Sequence, residues 1–339
     1  MAPIVLGLDI GGANLKAATV DKRTVAVPFP LWKQPDKLSA TLVDIVAQFP
    51  DVNEFAVTMT GELCDCYETK RDGVQHILTA MQKASRCHPI RVWSTDGEFV
   101  DVEQARCDYL KVAAANWHGL ATYVGSYVPR GTALLLDICS TTTDIIPILD
   151  GLPWAKGNTD TTRMEHGELV YTGVRRTPVC AVVKKITVAA ELFATTLDAY
   201  LLLGFSPENP TDTDTADGRP ATKANAHARL SRMICGDPEL TLASRTQELA
   251  DAVQDAQFQL IQSQFIQQFD RIKSLQHESL GTDRVVITSG SGEFLAHQVL
   301  QSLRLNTTDL ISLTDRLGPE LAACAPAYAL AVLATERRN

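Results

Sequence analysis

The sequence predicts an α/β protein of two lobes, each built on a mixed β-sheet that starts with a β-hairpin. Three separated segments, residues 7–16, 136–144 and 287–292, carry this prediction. In the first two, an apolar strand ends at an aspartate, Asp9 or Asp137, a turn of small residues follows, and the chain returns as a second strand. The third is an apolar strand that runs into small residues and then a helix. Because the hairpin start occurs twice, we predict duplicated domains.

The chain of 339 residues is long enough for two lobes with separate hydrophobic cores. We expect the first lobe to cover residues 1–130 and the second lobe residues 131–314. The C-terminal helix, within residues 315–339, is expected to pack back onto the first lobe.

Apolar spacing and turn residues place the elements of the first lobe in order. The predicted strands of this lobe cover residues 4–9, 15–20, 25–31, 55–59 and 90–93. The predicted helices cover residues 38–49, 74–85 and, as a mostly helical Ala-rich stretch, 102–127.

The second lobe is predicted in the same way. Its predicted strands cover residues 133–137, 144–149 and 285–287, with a last strand near 309–313. Its predicted helices cover residues 222–233, 241–274 and 319–337. Residues 207–220 form a long polar loop that we expect either to cover another part of the protein or to be mobile.

Composition limits the classes of partner. Hydrophobic residues make up 45% of the chain and charged residues 21%, and the net charge is −9, so we expect neither disorder nor nucleic acid as a main partner. The apolar stretch at residues 188–203 is interrupted by Glu191 and Asp198, so no membrane span is predicted. The first strand begins by Ile4, which argues against a signal peptide, and the eight cysteines are expected to be reduced thiols in the cytoplasm. A homo-oligomer is compatible with the sequence.

The small-residue turns predict a phosphate site, because backbone N–H groups and hydroxyls in such turns surround anions. The candidate contacts are Gly11, Gly12, Asn14, Ser140, Thr141, Thr142, Gly290, Ser291 and Gly292. Lys16, on the second strand of the first hairpin, is either a contact to a β-phosphate or an ordinary surface lysine.

Asp9 and Asp137 occupy equivalent points of the two hairpins and should face each other across the cleft between the lobes. Two such carboxylates would hold Mg²⁺ through water molecules. The alternative is that each aspartate only stabilises its own turn through an Asx hydrogen bond.

The densest polar run, residues 58–73, follows a buried-type strand, a position where ligand-facing loops occur. Lys70 and Arg71 in this run could hold phosphate or carboxylate. Cys64 and Cys66 lack a second Cys/His pair at zinc-like spacing, which does not favour a metal site.

A third polar region, residues 163–178, contains Arg175 and Arg176 in a loop bounded by Gly and Pro. Adjacent arginines suit anion recognition, for which Arg176 is the candidate contact, although a solvated charged loop is equally compatible. Asp212 and Asp214 are interpreted first as parts of a solvated loop.

The three glycine- or serine-rich segments together resemble the phosphate-1, phosphate-2 and adenosine segments of the acetate and sugar kinase, Hsp70 and actin superfamily. The resemblance implies a two-lobed actin/Hsp70/sugar-kinase-like (ribonuclease H-like) fold with duplicated mixed β-sheet domains.

Several further blocks resemble a narrower family. They comprise residues 59–63 with Asp65 and residues 69–70, then residues 137–147, 171–179 and 215–220. The chain is similar over nearly its whole length to hydantoinase/oxoprolinase-like proteins of the tetrahydromethanopterin-linked one-carbon pathway. The archaeal members join an aminomethylfuran methyl diphosphate to glutamyl-tyramine in methanofuran biosynthesis. One departure is Cys139, where such turns usually have glycine.

This resemblance implies a transferase that acts on a furan diphosphate and a phenolic amine or amino acid. Mg²⁺ near Asp9 and Asp137, with Lys16, would neutralise the departing diphosphate, while ATP is possible but not required. The candidates for the base that takes the phenol proton are Glu62, Asp65 and Glu68. Alternatives are an ATP-dependent small-molecule kinase, a hydantoinase-like amidohydrolase and a non-enzymatic nucleotide switch.

Overall fold

The computed structural model describes residues 4–274, 285–304 and 310–337. The strands are β1 (Val5–Ile10), β2 (Asn14–Thr19), β3 (Thr24–Pro28), β4 (Glu54–Met59), β5 (Ile90–Trp93), β6 (Phe99–Val100), β7 (Thr132–Ile138), β8 (Thr143–Leu149), β9 (Leu152–Pro153), β10 (Leu169–Val170), β11 (Val285–Ser289) and β12 (Leu310–Ser312). The α-helices are α1 (Leu38–Ala47), α2 (Lys70–Ala84), α3 (Val102–Cys107), α4 (Tyr109–Val112), α5 (Asn116–Gly125), α6 (Asp160–Glu165), α7 (Val179–Val182), α8 (Thr196–Leu203), α9 (Lys223–Met233), α10 (Ala243–Lys273), α11 (Glu293–Ser302), α12 (Leu313–Leu317), α13 (Pro319–Ala323) and α14 (Ala325–Glu336).

The first sheet has the strand order β3-β2-β1-β4-β5-β6. Its central strand β1 pairs antiparallel with β2 and parallel with β4. Apolar residues of β1 and β4 pack with those of α1 and α2 in one buried cluster that includes Leu8, Val57 and Ile77. The amphipathic helices therefore cover one face of the sheet and fix the ends of β1 and β4.

The second sheet repeats this start. Its order is β10-β8-β7-β11-β12, with β9 paired to β8. The central strand β7 pairs antiparallel with β8 and parallel with β11, and its apolar residues pack with those of α10 and α11. Two mixed sheets that each open with a β-hairpin confirm the predicted duplicated architecture.

Helices α5 and α14 lie between the two sheets. A single buried cluster contains Val5 and Ala56 of the first sheet, Leu135 of the second, and apolar residues of both helices. Gly7 on β1 permits the close approach of α14, because a Cβ built there would lie 1.8 Å from the carbonyl oxygen of Ala327. The C-terminal helix thus lies against the first sheet, on the face that looks toward the second.

Helix α2 begins earlier than the apolar spacing predicts, at Lys70 instead of residue 74. Thr69 is the N-cap and forms a capping box with Asp72, since each side chain satisfies the backbone N–H of the other. The polar run 58–73 is therefore shorter as a loop than predicted, and its last residues form the first turn of a helix.

The Ala-rich stretch 102–127 is mostly helical, as predicted, but it is not one continuous helix. It is divided into α3, α4 and α5, and Ala113 forms a parallel bridge with Met59 beside the first sheet. Ala114 adopts a positive φ of 48°, which a continuous helix excludes. The break brings Ala114 and Asn116 to the cleft that holds the candidate site.

Two further predictions need adjustment at the C-terminal end. The predicted helix 319–337 is divided at Cys324 into α13 and α14. The last strand covers Leu310–Ser312, while Asp309 of the predicted strand lies outside the described residues.

Among the described residues, no helix combines the length and apolar composition that a bilayer-spanning helix needs.

Candidate active site

The first hairpin places a row of three polar side chains on one face of the first sheet. Asp9 on β1 is paired with Lys16 on β2 and with Thr58 on β4. Directly paired residues project to the same face of a sheet, so the three groups are neighbours. Within the described part of the chain, Asp9 Oδ1 and Thr58 Oγ1 are buried and have no hydrogen-bond partner. The row therefore has polar capacity that a ligand, an ion or water would satisfy.

The charges in this row depend on one another. Burial raises the pKa of Asp9, and the positive charge of Lys16 lowers it in part. Burial lowers the pKa of Lys16, but the acidic groups around it, led by Cys139 and Asp9 and including Asp137, raise it above its ordinary value. Lys16 therefore stays an ammonium group that interacts with carboxylates from both sheets.

The second hairpin builds a corresponding row on the second sheet. Asp137 on β7 is paired with Asp144 on β8 and with Ser289 on β11. Burial, and then the charge of Asp144, raise the pKa of Asp137 to about 6. The Cys139 thiol lies 3.5 Å from both carboxylate oxygens of Asp137 and donates to them.

Asp144 is neutralised from outside its own hairpin. It forms a buried salt bridge with Arg163 of α6, whose guanidinium also lies 4.2 Å from the ring centre of Trp117 on α5. Burial raises the pKa of Asp144, and Arg163 lowers it in part. Arg163 also pairs with Asp160 of its own helix at 3.5 Å, and its contact with Trp117 links the second sheet with α5 of the central layer.

The two turns that follow the aspartates are open to a common cleft. In the first, the Gly11 N–H donates to the carbonyl of Asn14 at 3.0 Å, and a Cβ at Gly12 would lie 2.7 Å from the sulfur of Cys64. In the second, the Cys139 N–H donates to Thr142 at 2.9 Å. Each turn is closed by this backbone hydrogen bond, and residues 11–14 and 139–142 line the cleft, where small-residue turns can contact anions.

Glu62 lies in the same cleft, three residues after the end of β4 at Met59. Its side chain is only 1% exposed, and Oε2 has no hydrogen-bond partner among the described residues. Burial is the main cause that raises the pKa of Glu62 to about 7, although Lys70 lowers it in part and Asp160 raises it further. Gly73 makes this burial possible, because a Cβ there would lie 2.1 Å from the Glu62 carbonyl oxygen.

The cleft has a volume of about 660 Å³ and is lined by residues from both sheets. The sequence-predicted site residues that line it are Asp9, Gly11, Gly12, Asn14, Lys16, Glu62, Asp65, Ser140, Thr141, Thr142 and Arg176. The predicted residues that do not line it are Glu68, Lys70, Asp137, Gly290, Ser291 and Gly292.

The residues outside the lining have identifiable positions. Lys70 at the start of α2 is 3.9 Å from Asp160 of α6 and so connects the two lobes beside Glu62. Asp137 lies behind Cys139, which lines the cleft. The third segment packs against the end of β7, since the Gly292 N–H donates to Ile138 at 2.9 Å and a Cβ at Gly290 would lie 2.2 Å from the same carbonyl oxygen.

Sequence reasoning missed several residues of this cleft. Trp32, which follows β3, and Asp160, at the first position of α6, had no motif around them. Asp214 was interpreted as part of a solvated loop, but its carboxylate pairs with Arg176 at 3.4 Å and it lines the cleft. The acidic repeat at 212 and 214, opposite a pair of arginines, was the available signal for this network.

Mg²⁺ was the metal expected from the sequence. The described residues contain no group of three or more His, Cys, Asp or Glu side chains that would bind a metal directly. The buried Asp9, with its unpartnered Oδ1 beside the Thr58 hydroxyl, nevertheless fits a hydrated cation whose remaining ligands are water and phosphate oxygens.

The sequence of this chain matches a known family and individual known proteins. Residues 54–337 match the hydantoinase/oxoprolinase family. The chain is 33% identical over 344 residues to the (4-{4-[2-(γ-L-glutamylamino)ethyl]phenoxymethyl}furan-2-yl)methanamine synthase of Methanocaldococcus jannaschii, with 98% of each chain covered. It is 32% identical over 226 residues to the protein of the same name from Methanococcus vannielii, which covers 65% of this chain and 97% of that one.

Solved structures give the same fold at much lower identity. MamK in its double helical filament matches 97% of this chain and 99% of its own at 12% identity and a TM-score of 0.50. At that identity the likeness shows the fold alone, and it agrees with the predicted actin-like, two-domain α/β class.

Proposed function

The chain belongs to the hydantoinase/oxoprolinase family, and on this premise we propose that it is a transferase that joins an aminomethylfuran methyl diphosphate to a tyramine- or tyrosine-derived phenol. Diphosphate is the leaving group, and the product serves a methanofuran-type one-carbon cofactor. The name of the Methanocaldococcus relative describes a phenoxymethyl-furan amine, which is the kind of product such a condensation yields.

The observation that carries the proposal is the state of Glu62. A carboxylate with a pKa of about 7 and an unpartnered buried oxygen in the cleft is suited to accept a proton at neutral pH. A phenol has an ordinary pKa of about 10, so its reaction as a nucleophile needs such a base. Asp65 also lines the cleft but is exposed, and Glu68 does not line it, so Glu62 is the base we select from the three candidates.

The other end of the cleft suits the diphosphate. Lys16 supplies a fixed positive charge, and the turns at 11–14 and 140–142 supply backbone N–H groups and hydroxyls. Asp9 and, through water, Asp137 would hold Mg²⁺ here, and the ion when bound would neutralise charge on the diphosphate. A preformed cationic pocket stabilises the charge that develops on a leaving group.

The bond between the furan methylene carbon and the diphosphate oxygen breaks, and the diphosphate leaves with the electron pair. The furan oxygen stabilises the developing positive charge on that carbon. A new bond forms between this carbon and the phenol oxygen, while Glu62 takes the phenol proton and later returns it to solvent.

The test is to incubate the protein with a furfuryl-type diphosphate and tyramine, L-tyrosine or γ-glutamyl-tyramine, and to measure diphosphate release and the aryl ether product. We expect release that depends on both substrates. Release without a phenol, or none with any of the three, would contradict the proposal.

A second candidate, an ATP-dependent small-molecule kinase, is favoured by the two phosphate turns and by the fold. The same assay with ATP in place of the furan diphosphate distinguishes the two. Acceptor-dependent ADP formation, with no response to the furan diphosphate, would support the kinase.

A further inference from the structure

Arg176 lies at the rim of the cleft, with its backbone held by a hydrogen bond and its guanidinium accessible to a ligand. The backbone N–H groups of Arg175 and Arg176 donate to the carbonyl of Ser140 at 3.0 and 2.9 Å, so both arginines are fixed to the second phosphate turn. The guanidinium of Arg176 lies 4.6 Å from the ring centre of Trp32, across the cleft. Nη1 is 3.4 Å from Asp214, and among the described residues Nε and Nη2 donate no hydrogen bond. Arg176 thus has free donors at a lining position.

An anion is held beside this cation. Arg175 donates through Nη2 to the Asp214 carbonyl at 2.8 Å and pairs with Asp212 at 2.8 Å. These contacts fix the backbone of residue 214, while its side chain remains 52% exposed. Asp214 therefore presents a carboxylate that is positioned but still open to a ligand.

The walls next to this charged pair are apolar or aromatic. Trp32, Tyr171 and Leu192 line the same cleft. Tyr171 and Leu192 are 61% and 56% exposed, so both side chains are accessible to a ligand in the cleft. This end of the cleft combines an aromatic wall with two arginines, Arg175 and Arg176, and with the Asp214 carboxylate, which lies 3.5 Å and 3.4 Å from them.

We propose that Arg176 and Asp214 select acceptors that carry a free α-amino-acid head group, with the carboxylate on Arg176 and the ammonium on Asp214. This rests on the proposed function, because it concerns the acceptor phenol of that reaction. A guanidinium with free donors pairs well with a planar carboxylate. The phenyl ring then lies along Trp32 and Tyr171, and its hydroxyl points toward Glu62.

The charges of the rim argue against diphosphate as its ligand. A diphosphate at Arg176 would lie next to the Asp214 carboxylate, which repels it, whereas a zwitterion satisfies both groups. Lys16 also lies beside a carboxylate, Asp9, but there the turn at 11–14 adds backbone N–H groups and the proposed Mg²⁺ would offset the negative charge.

Calorimetry on the full-length protein tests this with four phenols and inorganic diphosphate. L-Tyrosine and γ-glutamyl-tyramine carry the full head group at different distances from the ring, tyramine lacks the carboxylate, and 3-(4-hydroxyphenyl)propanoate lacks the amine. We expect one of the two zwitterions to bind at least about tenfold more tightly than tyramine and the propanoate, and Arg176→Gln to remove its advantage over tyramine. Asp214→Asn should remove its advantage over the propanoate.

Arg71→Gln is the matched control, because Arg71 is stacked over Tyr109 at 4.2 Å and does not line the cleft. Inorganic diphosphate should bind wild type and Arg176→Gln alike, which also shows that the variant is folded. Loss of diphosphate binding in Arg176→Gln with unchanged phenol preference, or no preference for either zwitterion in the wild type, would overturn the inference. If the zwitterion preference holds and depends on Arg176, but no phenol supports diphosphate release, the head-group site stands and the proposed reaction fails.

Discussion

The two sheets place similar rows of polar residues at the cleft but balance their charge in opposite ways. In the first sheet the residue paired with the central aspartate is Lys16, and in the second it is Asp144. The hydroxyls of Thr58 and Ser289 complete the rows. The first row is therefore balanced within its own hairpin, whereas the second contains two buried carboxylates side by side.

The second row depends on a residue from outside its sheet. Arg163 of α6 pairs with Asp144 and stacks on Trp117 of α5. Two buried aspartates without such a partner would not both stay ionised. The repeated hairpin thus fixes where the two aspartates lie. The charge of each row is set by a residue that is not repeated, Lys16 in the first row and Arg163 in the second.

The largest effect is expected when Arg163, the cation from outside the second sheet, is removed. Arg163→Met should lower the free energy of unfolding by about 3–5 kcal/mol, because it leaves Asp144 buried next to Asp137 without a partner. Urea denaturation at neutral pH measures this. The double variant Arg163→Met with Asp144→Leu should recover most of the loss. Equal destabilisation of the single and double variants would show that packing on Trp117, and not charge, is what Arg163 contributes.

Removing Lys16, the cation paired with Asp9, tests the charge balance of the first row. Lys16→Met should lower kcat/KM for the furan diphosphate by about 10³-fold, because the leaving group loses its fixed positive charge. Steady-state kinetics measure the change, and calorimetry with inorganic diphosphate should show weaker binding. Lys83→Met, at an exposed position on α2, is the control. Unchanged diphosphate binding in Lys16→Met would mean that the lysine serves only to balance Asp9 and Asp137.

The next prediction concerns Glu62, the proposed base, which belongs to the first lobe alone. Glu62→Gln should lower kcat by about 10²-fold. In the wild type, activity should rise with pH through about 7, where Glu62 loses its proton, and this rise should be absent from the variant. Glu68→Gln, in the same polar run but outside the cleft lining, is the control. An unaltered pH profile in Glu62→Gln would exclude Glu62 as the base.

The last prediction concerns stability and needs no substrate. The folded protein raises the pKa of Glu62 from 4.5 to about 7, so between these values the folded state binds a proton that the unfolded state releases. Stability therefore falls as pH rises through this window, by about 3 kcal/mol. Glu62→Gln should remove that part of the decline in denaturation midpoints measured between about pH 5 and pH 8. An identical decline in both proteins would mean that Glu62 is not the buried group with the raised pKa.

Much of the fold could be predicted from local patterns. The two hairpins, the positions of Asp9 and Asp137 and the strand of the third segment follow from apolar runs that end in an aspartate or in small residues. The break at Ala113–Ala115 could not be predicted, because alanine favours helix and only the bridge to Met59 in the first sheet overrides that preference. The earlier start of α2 at Lys70 was signalled by Thr69 and Asp72, which form a recognisable capping box.

The sequence by itself determined which residues end the strands, and therefore that Asp9, Lys16 and two small-residue turns would meet at a cleft, with Asp137 at the equivalent point of the second sheet. Only the tertiary structure decided the chemistry of those groups. The affinity of Glu62 for its proton comes from burial beneath α2, and the charge of Asp144 comes from Arg163. Burial and contacts between the lobes depend on residues that are far apart in the chain, so no local pattern of residues records them.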